Sequence, residues 1–262
     1  MSCRVAAVAV LSLALLLCNP GARARAAGTD DLTRDDVVLR LGQLESALSF
    51  ESDVSKRAGG EPWSLAPDLS YGLTDALTVG IVHSARALSL VDSGLGLCLS
   101  GHDCRAIYDD VTLDSRYRFL RRDGFNLAAR IRFTNHSLDP WKPSLRVGGL
   151  FKWHHGRFAV ITDPQLQLGL ANRERGNRDW LRLPVWLEIQ PMRHVLLALR
   201  TGVEGELATW HDTFLVAGAL DLTVRFCPDV DGSLTVGFPA LLGPLNDGNE
   251  RHLGATVTVR WW

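Results

Sequence analysis

Apolar and polar residues alternate along most of the chain, from about residue 43 to its last residue. In WSLAPDLSYGL, residues 63–73, the odd-numbered positions are apolar or aromatic, and most even-numbered positions are small or polar. The segment HLGATVTVRWW, residues 252–262, alternates in the same way. A period of two residues is typical of β-strands that have one apolar and one polar face. The pattern therefore predicts an all-β protein.

Twelve segments of this kind follow one another along the chain. Most of them are longer than the roughly five or six residues that are usual in soluble sheets. The predicted strands are 43–52, 63–73, 77–86, 108–120, 125–135, 145–154, 157–170, 180–190, 195–206, 214–226, 233–240 and 252–262. Because no linker or change of composition separates them, we predict one domain over residues 43–262.

The connections between the predicted strands are alternately long and short after the first strand. The short ones contain TDA, RRDG, HHG, MRH and CPDVDG, and the long ones include 87–107, 136–144, 171–179 and 241–251. Short turns at one end and long loops at the other are characteristic of transmembrane β-barrels. We therefore predict a single closed antiparallel transmembrane β-barrel of about 12 strands. Its apolar faces would contact lipid, and its short turns and both termini would lie in the periplasm, opposite longer external loops.

A soluble two-sheet sandwich would alternate in the same way, but the placement of two residue types favours the barrel. Long charged side chains occur at mid-strand on the polar faces: Arg116, Arg118, Arg130, Arg132, Arg146, Arg200 and Arg225. Aromatic residues end the apolar faces: Trp63, Phe119, Phe125, Trp153, Phe158, Trp180, Phe214, Phe226 and Trp261. Aromatic girdles at both membrane interfaces are typical of transmembrane barrels.

The N-terminal segment differs from the rest of the chain. Arg4 precedes an apolar run over residues 5–18, and Pro-Gly and then Ala-Arg-Ala at 24–26 follow it. This order predicts a cleaved secretory signal peptide over residues 1–26, and the run is short for a membrane-spanning helix. Removing it takes away three arginines, which leaves 25 basic and 29 acidic residues. Nearly balanced charge gives no indication of nucleic-acid binding.

Residues 27–42 would then form a periplasmic leader to the barrel. The segment LTRDDVVLRLGQL, residues 32–44, could form a short helix with Thr33 and Asp36 as its capping box. It could equally be a disordered lead into the first strand. The sequence does not decide between the two.

These features resemble those of Gram-negative outer-membrane β-barrel proteins over residues 43–262. The resemblance implies an outer-membrane location after export, with membrane lipid and the barrel-assembly machinery as partners. In that family a terminal aromatic residue acts as the assembly signal, and Trp262 has this position. In the family the terminal aromatic usually lies on the apolar face of the last strand, whereas here the alternation places Trp261 on that face and Trp262 on the other. The segment LSYGLTDALTVGI is also similar to a hairpin in channels of the phenol-degradation MetA type.

The polar faces would line the barrel interior with charged residues. If Phe119 faces Leu127 in the hairpin that turns through RRDG, then Arg116 lies opposite Arg130. The predicted basic wall consists of Arg116, Arg118, Arg130, Arg132, Arg146 and Lys152, and the predicted lumenal acids are Asp114, Glu188, Glu204, Glu206 and Asp221.

The charges allow two main interpretations of the interior. The register above also places Asp114 opposite Arg132, so both signs of charge occur together. Cross-lumen salt bridges could fill a closed interior, or the charges could line a narrow passive pore for small hydrophilic or anionic solutes, which we favour. An unpaired basic wall would make such a pore prefer anions. Binding through the surface loops is a third alternative.

The cysteines divide by position. Cys98 and Cys104 enclose a short polar segment, and in an oxidising compartment we expect them to form a disulfide. Cys227 is left over, and we expect a free thiol at a turn.

The sequence contains little that points to catalysis. The His-Ser pairs at 136–137 and 83–84 are adjacent, so their side chains would point to opposite faces of a strand and would not form a lipid-hydrolase dyad. The two histidines at 154–155 are expected in a solvated turn rather than in a metal site. We therefore expect no enzyme activity, no cofactor and no metal.

Overall fold

A computed structural model describes residues 32–34, 36–55, 63–83, 97–100, 111–138, 140–244 and 251–261. The strands are β1 (Leu44–Asp53), β2 (Trp63–Gly72), β3 (Leu77–Val82), β4 (Leu97–Ser100), β5 (Val111–Arg122), β6 (Phe125–Leu138), β7 (Trp141–His155), β8 (Phe158–Thr162), β9 (Gln165–Gly169), β10 (Trp180–Met192), β11 (Val195–Glu206), β12 (Leu215–Cys227), β13 (Val230–Leu242) and β14 (His252–Trp261). Short helical turns occur at Leu32–Arg34, Arg173–Arg175 and Trp210–Thr213. Within these ranges, no helix is long and apolar enough to span a membrane.

The strands form one antiparallel sheet that closes on itself. β1 pairs with β2 on one side and with β14 on the other, and the other barrel strands follow between them in chain order. β8 and β9 share one position between β7 and β10, and β4 is an additional strand that pairs with β2. The result is a closed antiparallel barrel of 12 strands, which confirms the predicted fold class.

The two faces of the barrel wall have opposite polarity. Leu69, Tyr71 and Ile81 expose 48%, 40% and 47% of their surface, whereas Ser70 is 6% exposed. Because neighbouring side chains on a strand point to opposite faces, the apolar residues face outward and the polar residues face inward, as predicted. An apolar exterior of this kind suits lipid as the surrounding solvent.

The connections differ at the two ends of the barrel. The turn end, as we name it, has the short connections 73–76, 123–124, 156–157, 193–194 and 228–229, and the loop end is the opposite one. One predicted long loop, 136–144, is wrong, because β6 continues to Leu138 and β7 begins at Trp141. The loop was predicted because polar residues interrupt the alternation there. A strand that extends beyond the lipid needs no apolar face at its end, so it can continue without alternation. The predicted loop 87–107 also contains β4.

The hairpin of β5 and β6 contains a bulge that the sequence analysis did not predict. The register shifts by one residue after Arg118, so that Leu120 rather than Phe119 pairs with Leu127. The expected pairing of Phe119 is therefore wrong, and this residue is 58% exposed as the extra position of the bulge. The shift lies close to the turn, so it does not change the pairing further along the hairpin.

The strand position that β8 and β9 share in the barrel wall is interrupted at residues 163–164, between the two strands. Pro164 has no backbone N–H to donate to the ladder, and neither has Pro184 of β10, which the register places opposite Asp163. The register with β7 continues across the interruption, and the N–H of Gly149 donates to the carbonyl of Pro164 at 3.2 Å. The interruption therefore leaves Asp163 in place on the inner face, where it is 2% exposed.

Candidate functional site in the barrel interior

Charged side chains line the interior, and the most enclosed group is the central cluster, which we define as Asp114, Arg116, Arg130, Arg132 and Asp163. β5 and β6 bring four of these residues together. Arg116 lies opposite Arg130 and Asp114 lies opposite Arg132, as predicted. Like charges that face each other across two strands destabilise a sheet unless opposite charges neutralise them.

Asp114 supplies the neutralising charge for the facing arginines and is only 3% exposed. Its Oδ1 accepts hydrogen bonds from Nε of Arg130 at 2.7 Å and from Nε of Arg132 at 2.9 Å. Its Oδ2 accepts from Nη2 of Arg130 at 2.9 Å and lies 3.3 Å from Nε of Arg116. One carboxylate therefore contacts three guanidinium groups.

Asp163 completes the cluster from the interrupted strand. Arg130 Nη1 donates to Asp163 Oδ2 at 2.7 Å, and the side-chain amide of Gln165 donates to the same oxygen at 2.6 Å. Gln165 in turn accepts a hydrogen bond from Arg132 Nη1 at 3.1 Å. Asp163 was not among the predicted lumenal acids, although its position in the alternation of the segment 157–170 places it on the inner face.

Five of the six residues of the predicted basic wall have carboxylate partners, and the sixth, Arg146, donates from Nε to Gln167 Oε1 at 3.0 Å. The three arginines of the central cluster share two carboxylates. Nearer the turn end, Arg118 forms an ion pair with Asp36, and Lys152 Nζ lies 3.9 Å from Glu188 Oε2. Anion preference was predicted only for a basic wall without carboxylate partners. The arginines of the central cluster have such partners, so they do not meet that condition.

The other predicted acidic residues also form ion pairs along the wall. The pairs are Glu204 with Arg182 at 2.8 Å, Glu206 with Arg178 at 2.9 Å and Asp221 with Arg200 at 2.9 Å. A further network, which the sequence analysis missed, links Arg260 to Glu45 at 2.8 Å and to Asp231 at 2.7 Å. These pairs follow the wall between neighbouring elements and do not cross the lumen.

The chain before β1 enters the turn end of the barrel. We name residues 32–34 and 36–39 the N-terminal strap. Val37 and Val38 are buried, and they pack against Ala128, Leu150 and Ile161 on the inner face of β6, β7 and β8. The strap therefore covers an apolar patch within a mainly polar interior.

Hydrogen bonds attach the strap to opposite parts of the wall. The N–H of Leu39 donates to Thr78 Oγ1 of β3 at 2.8 Å, and the N–H of Thr33 donates to Gln190 Oε1 of β10 at 3.4 Å. The helical part is one turn, Leu32–Arg34, which already contains Thr33, so the helix capped by Thr33 and Asp36, one of the two alternatives from the sequence, does not form. The buried contacts of the strap outweigh the local capping preference.

His136 lies in the interior beside a serine and an arginine of β7. Ser144 Oγ lies 3.1 Å from His136 Nε2, but Ser144 is fully buried, and Arg146 Nη2 lies 3.3 Å from the same nitrogen. His155 belongs to β7 and stacks on Trp153, with ring centroids 6.2 Å apart, rather than forming the turn. Among the described residues, no three His, Cys, Asp or Glu side chains are grouped as metal ligands.

The cysteine expectations have different outcomes. Cys227 is disulfide-bonded, so the expected free thiol is wrong. That expectation came from spacing along the chain, which does not show contacts between distant segments. The side chain of Cys98 and the whole of Cys104 lie outside the described part of the chain, so their disulfide stays a prediction.

The end of β14 closes the barrel. Trp261 pairs with Leu44 of β1 at the turn end and is 45% exposed, which places its side chain on the outer face. Trp262 lies outside the described residues. The role of both tryptophans as an assembly signal stays a prediction.

We compared the sequence and the structure with those of known proteins. No protein-family model and no curated protein matches the sequence. The chain is similar in structure to a KdgM porin in complex with disordered oligogalacturonate (TM-score 0.57, 7% identity, 83% of this chain and 99% of that one). It is also similar to the COG4313 outer membrane channel from Pseudomonas putida F1 (TM-score 0.55, 16% identity, 86% and 97% covered) and to the NanC porin (TM-score 0.53, 10% identity, 84% and 99% covered). The chain therefore has the fold of outer-membrane porins and channels.

Proposed function

We propose that this protein is a narrow passive pore for small hydrophilic solutes in the outer membrane of a Gram-negative bacterium, which it reaches through a cleaved signal peptide. The observation that carries the proposal is the interior of the closed barrel. The ion pairs of the central cluster, and those of Glu204 and Asp221, join neighbouring parts of the wall. Side chains paired in this way line a polar path instead of filling it.

The strap sets the width of the path at the turn end. Its buried valines hold it against the inner wall, and its hydrogen bonds reach from β3 to β10. This arrangement supports a small conductance. It is also the observation that favours the second candidate function, a structural barrel with a closed lumen.

The pairing of the arginines supports weak selectivity among ions. The similar KdgM porin forms a complex with disordered oligogalacturonate. In the present chain Asp114 and Asp163 occupy the arginines of the central cluster, so we do not propose a path for large anionic chains. The porin and channel folds of the structural neighbours support a function other than catalysis.

Single-channel recording in a planar lipid bilayer tests the proposal. We expect the mature chain to give small, stepwise currents in potassium chloride. Val38→Asp should increase the unit conductance, because a carboxylate is unfavourable in the apolar patch that now buries Val38. Leu41→Asp is the matched control, since Leu41 is 62% exposed and its replacement should leave the conductance unchanged.

One result would contradict the pore, and a second would contradict the role of the strap. Neither the wild type nor Val38→Asp would conduct if the lumen is closed by more than the strap, and the structural barrel would then be the better account. Equal conductance changes in Val38→Asp and Leu41→Asp would show that the strap does not narrow the path.

A further inference from the structure

Three neighbouring connections at the turn end carry exposed arginines. The connections are 123–124 between β5 and β6, 156–157 between β7 and β8, and 193–194 between β10 and β11. Because these strands are consecutive in the sheet, the connections occupy adjacent places on the edge of the barrel. We define the basic rim as the exposed arginines at or next to these connections, which are Arg122, Arg157 and Arg193.

The basic rim differs from the barrel interior in how its charges are compensated. In the interior, Asp114 and Asp163 contact the arginines of the central cluster. In the part of the chain that the structure describes, no carboxylate forms an ion pair with an arginine of the basic rim. Asp123 is the one acidic residue within the three connections. The rim therefore has excess positive charge that is open to the surroundings.

The strand register places Arg122 on the outer face of the barrel. Arg122 pairs with Phe125 of β6, and Phe125 pairs with Trp153 of β7, which is 43% exposed. Side chains directly opposite each other on neighbouring strands lie on the same face. Arg122 is therefore in one outer row with two aromatic residues. The bulge after Arg118 is the cause, because without the extra residue Arg122 would share the inner face with Arg118.

Large apolar side chains lie beside the other two arginines. Phe158 follows Arg157 in the chain and is 56% exposed. Met192 precedes Arg193 and is 68% exposed. Arg157 Nη1 donates to the carbonyl of Pro191 at 3.3 Å, which joins the two connections and leaves the other N–H groups of this guanidinium for an external acceptor. Positive charge and exposed apolar surface therefore meet along the rim.

We propose that the basic rim binds anionic phospholipid headgroups in the membrane leaflet at the turn end. The phosphate oxygens accept hydrogen bonds from the guanidinium groups, whose planar geometry suits phosphate. The acyl chains lie along the apolar outer face beside Phe158 and Met192. A soluble anion would use the arginines alone, whereas a lipid uses both parts of this surface. The inference goes beyond the proposed pore, because it depends on the membrane location and not on conduction.

Titration of the detergent-purified mature chain with phosphatidylglycerol, followed by native mass spectrometry, tests the proposal. We expect phosphatidylglycerol to bind more tightly than phosphatidylcholine with the same acyl chains, which has no net charge. Arg122→Gln, Arg157→Gln and Arg193→Gln should each weaken the binding of phosphatidylglycerol about fivefold. Arg157→Lys should keep most of the affinity, because it retains the charge and loses only the planar guanidinium.

Arg175→Gln is the matched control. Arg175 is an exposed arginine at the loop end, and no carboxylate among the described residues forms an ion pair with it, so its replacement should leave lipid binding unchanged. Equal losses in Arg157→Gln and Arg175→Gln would overturn the proposal, because they would show unspecific attraction. Equal binding of phosphatidylglycerol and phosphatidylcholine would also overturn it.

Two further measurements separate the lipid from other anionic occupants of the rim. Displacement of phosphatidylglycerol by inorganic phosphate would show a site for a bare anion and would overturn the lipid proposal. Cosedimentation with peptidoglycan that is lost in Arg157→Gln, without a loss of lipid binding, would assign the rim to the cell wall instead. A chain that conducts but does not prefer phosphatidylglycerol overturns the lipid site and leaves the pore intact. A chain that binds this lipid without conducting does the reverse.

Discussion

Replacing Asp114 by asparagine perturbs the central cluster at the group on which its arginines converge. The substitution keeps the size of the side chain and removes its charge. Before the change, three arginines share the carboxylates of Asp114 and Asp163, and after it they share only one. Excess positive charge then remains buried in the wall.

The expected loss of stability is large. Removing one partner of a buried ion pair costs about 3–5 kcal/mol, because the other charge stays buried without compensation. Asp114 is 3% exposed and accepts hydrogen bonds from both Arg130 and Arg132. We therefore expect Asp114→Asn to lower the free energy of unfolding by about 3–5 kcal/mol, or roughly 10²–10⁴-fold in the unfolding equilibrium constant.

Urea unfolding of the protein in lipid vesicles, followed by tryptophan fluorescence, measures this loss. The control is Asp179→Asn, which breaks an ion pair with Arg173 whose side chains are 56% and 25% exposed for arginine and aspartate. An exposed pair contributes about 0–1 kcal/mol. Asp114→Asn combined with Arg132→Gln should recover part of the loss, because it removes one of the uncompensated charges.

The same variant should also change ion selectivity. In a salt gradient, the reversal potential of Asp114→Asn should move toward anion preference relative to the wild type, since one negative charge is lost from the wall. The reasoning is refuted if Asp114→Asn and Asp179→Asn cost the same free energy, or if the reversal potential does not move.

The remaining predictions concern the ends and the connections. Deleting residues 261–262 should reduce insertion into the outer membrane, measured by surface labelling of cells, and normal labelling would contradict the assembly role. Cys227 should react with maleimide only after reduction, and modification of the unreduced protein would contradict the disulfide. Hydrogen bonds from Arg173 hold the pKa of Asp179 below its ordinary value of 3.8. Because the folded form has the lower pKa, the Arg173–Asp179 pair stabilises its connection above that pH and is lost below it. The protection factor of the Gly169 amide, whose N–H donates to Asp179, should therefore fall on acidification, and in Arg173→Ala it should fall at a higher pH.

Regular alternation in the sequence determined the barrel and the orientation of its strands. A period of two residues puts every second side chain on the same face, and lipid around the barrel requires that face to be apolar. For this reason the positions of Ser70 and Leu69, and the facing of Arg116 and Arg130, could be predicted from the chain alone. These features depend on residues that are close in sequence.

The tertiary structure alone decided which charges meet. Asp163 reaches Arg130 from a strand that is not the neighbour of β6, and Arg260 reaches Glu45 only because β14 closes on β1. The strap lies in the lumen because Val37 and Val38 find an apolar patch made by three strands that are far from them in the chain. Such contacts depend on closure, register and bulges between distant segments. Alternation within one strand does not contain that information, so the sequence predicted a charged interior and the facing of Asp114 and Arg132 within one hairpin, but not the ion pairs between distant segments.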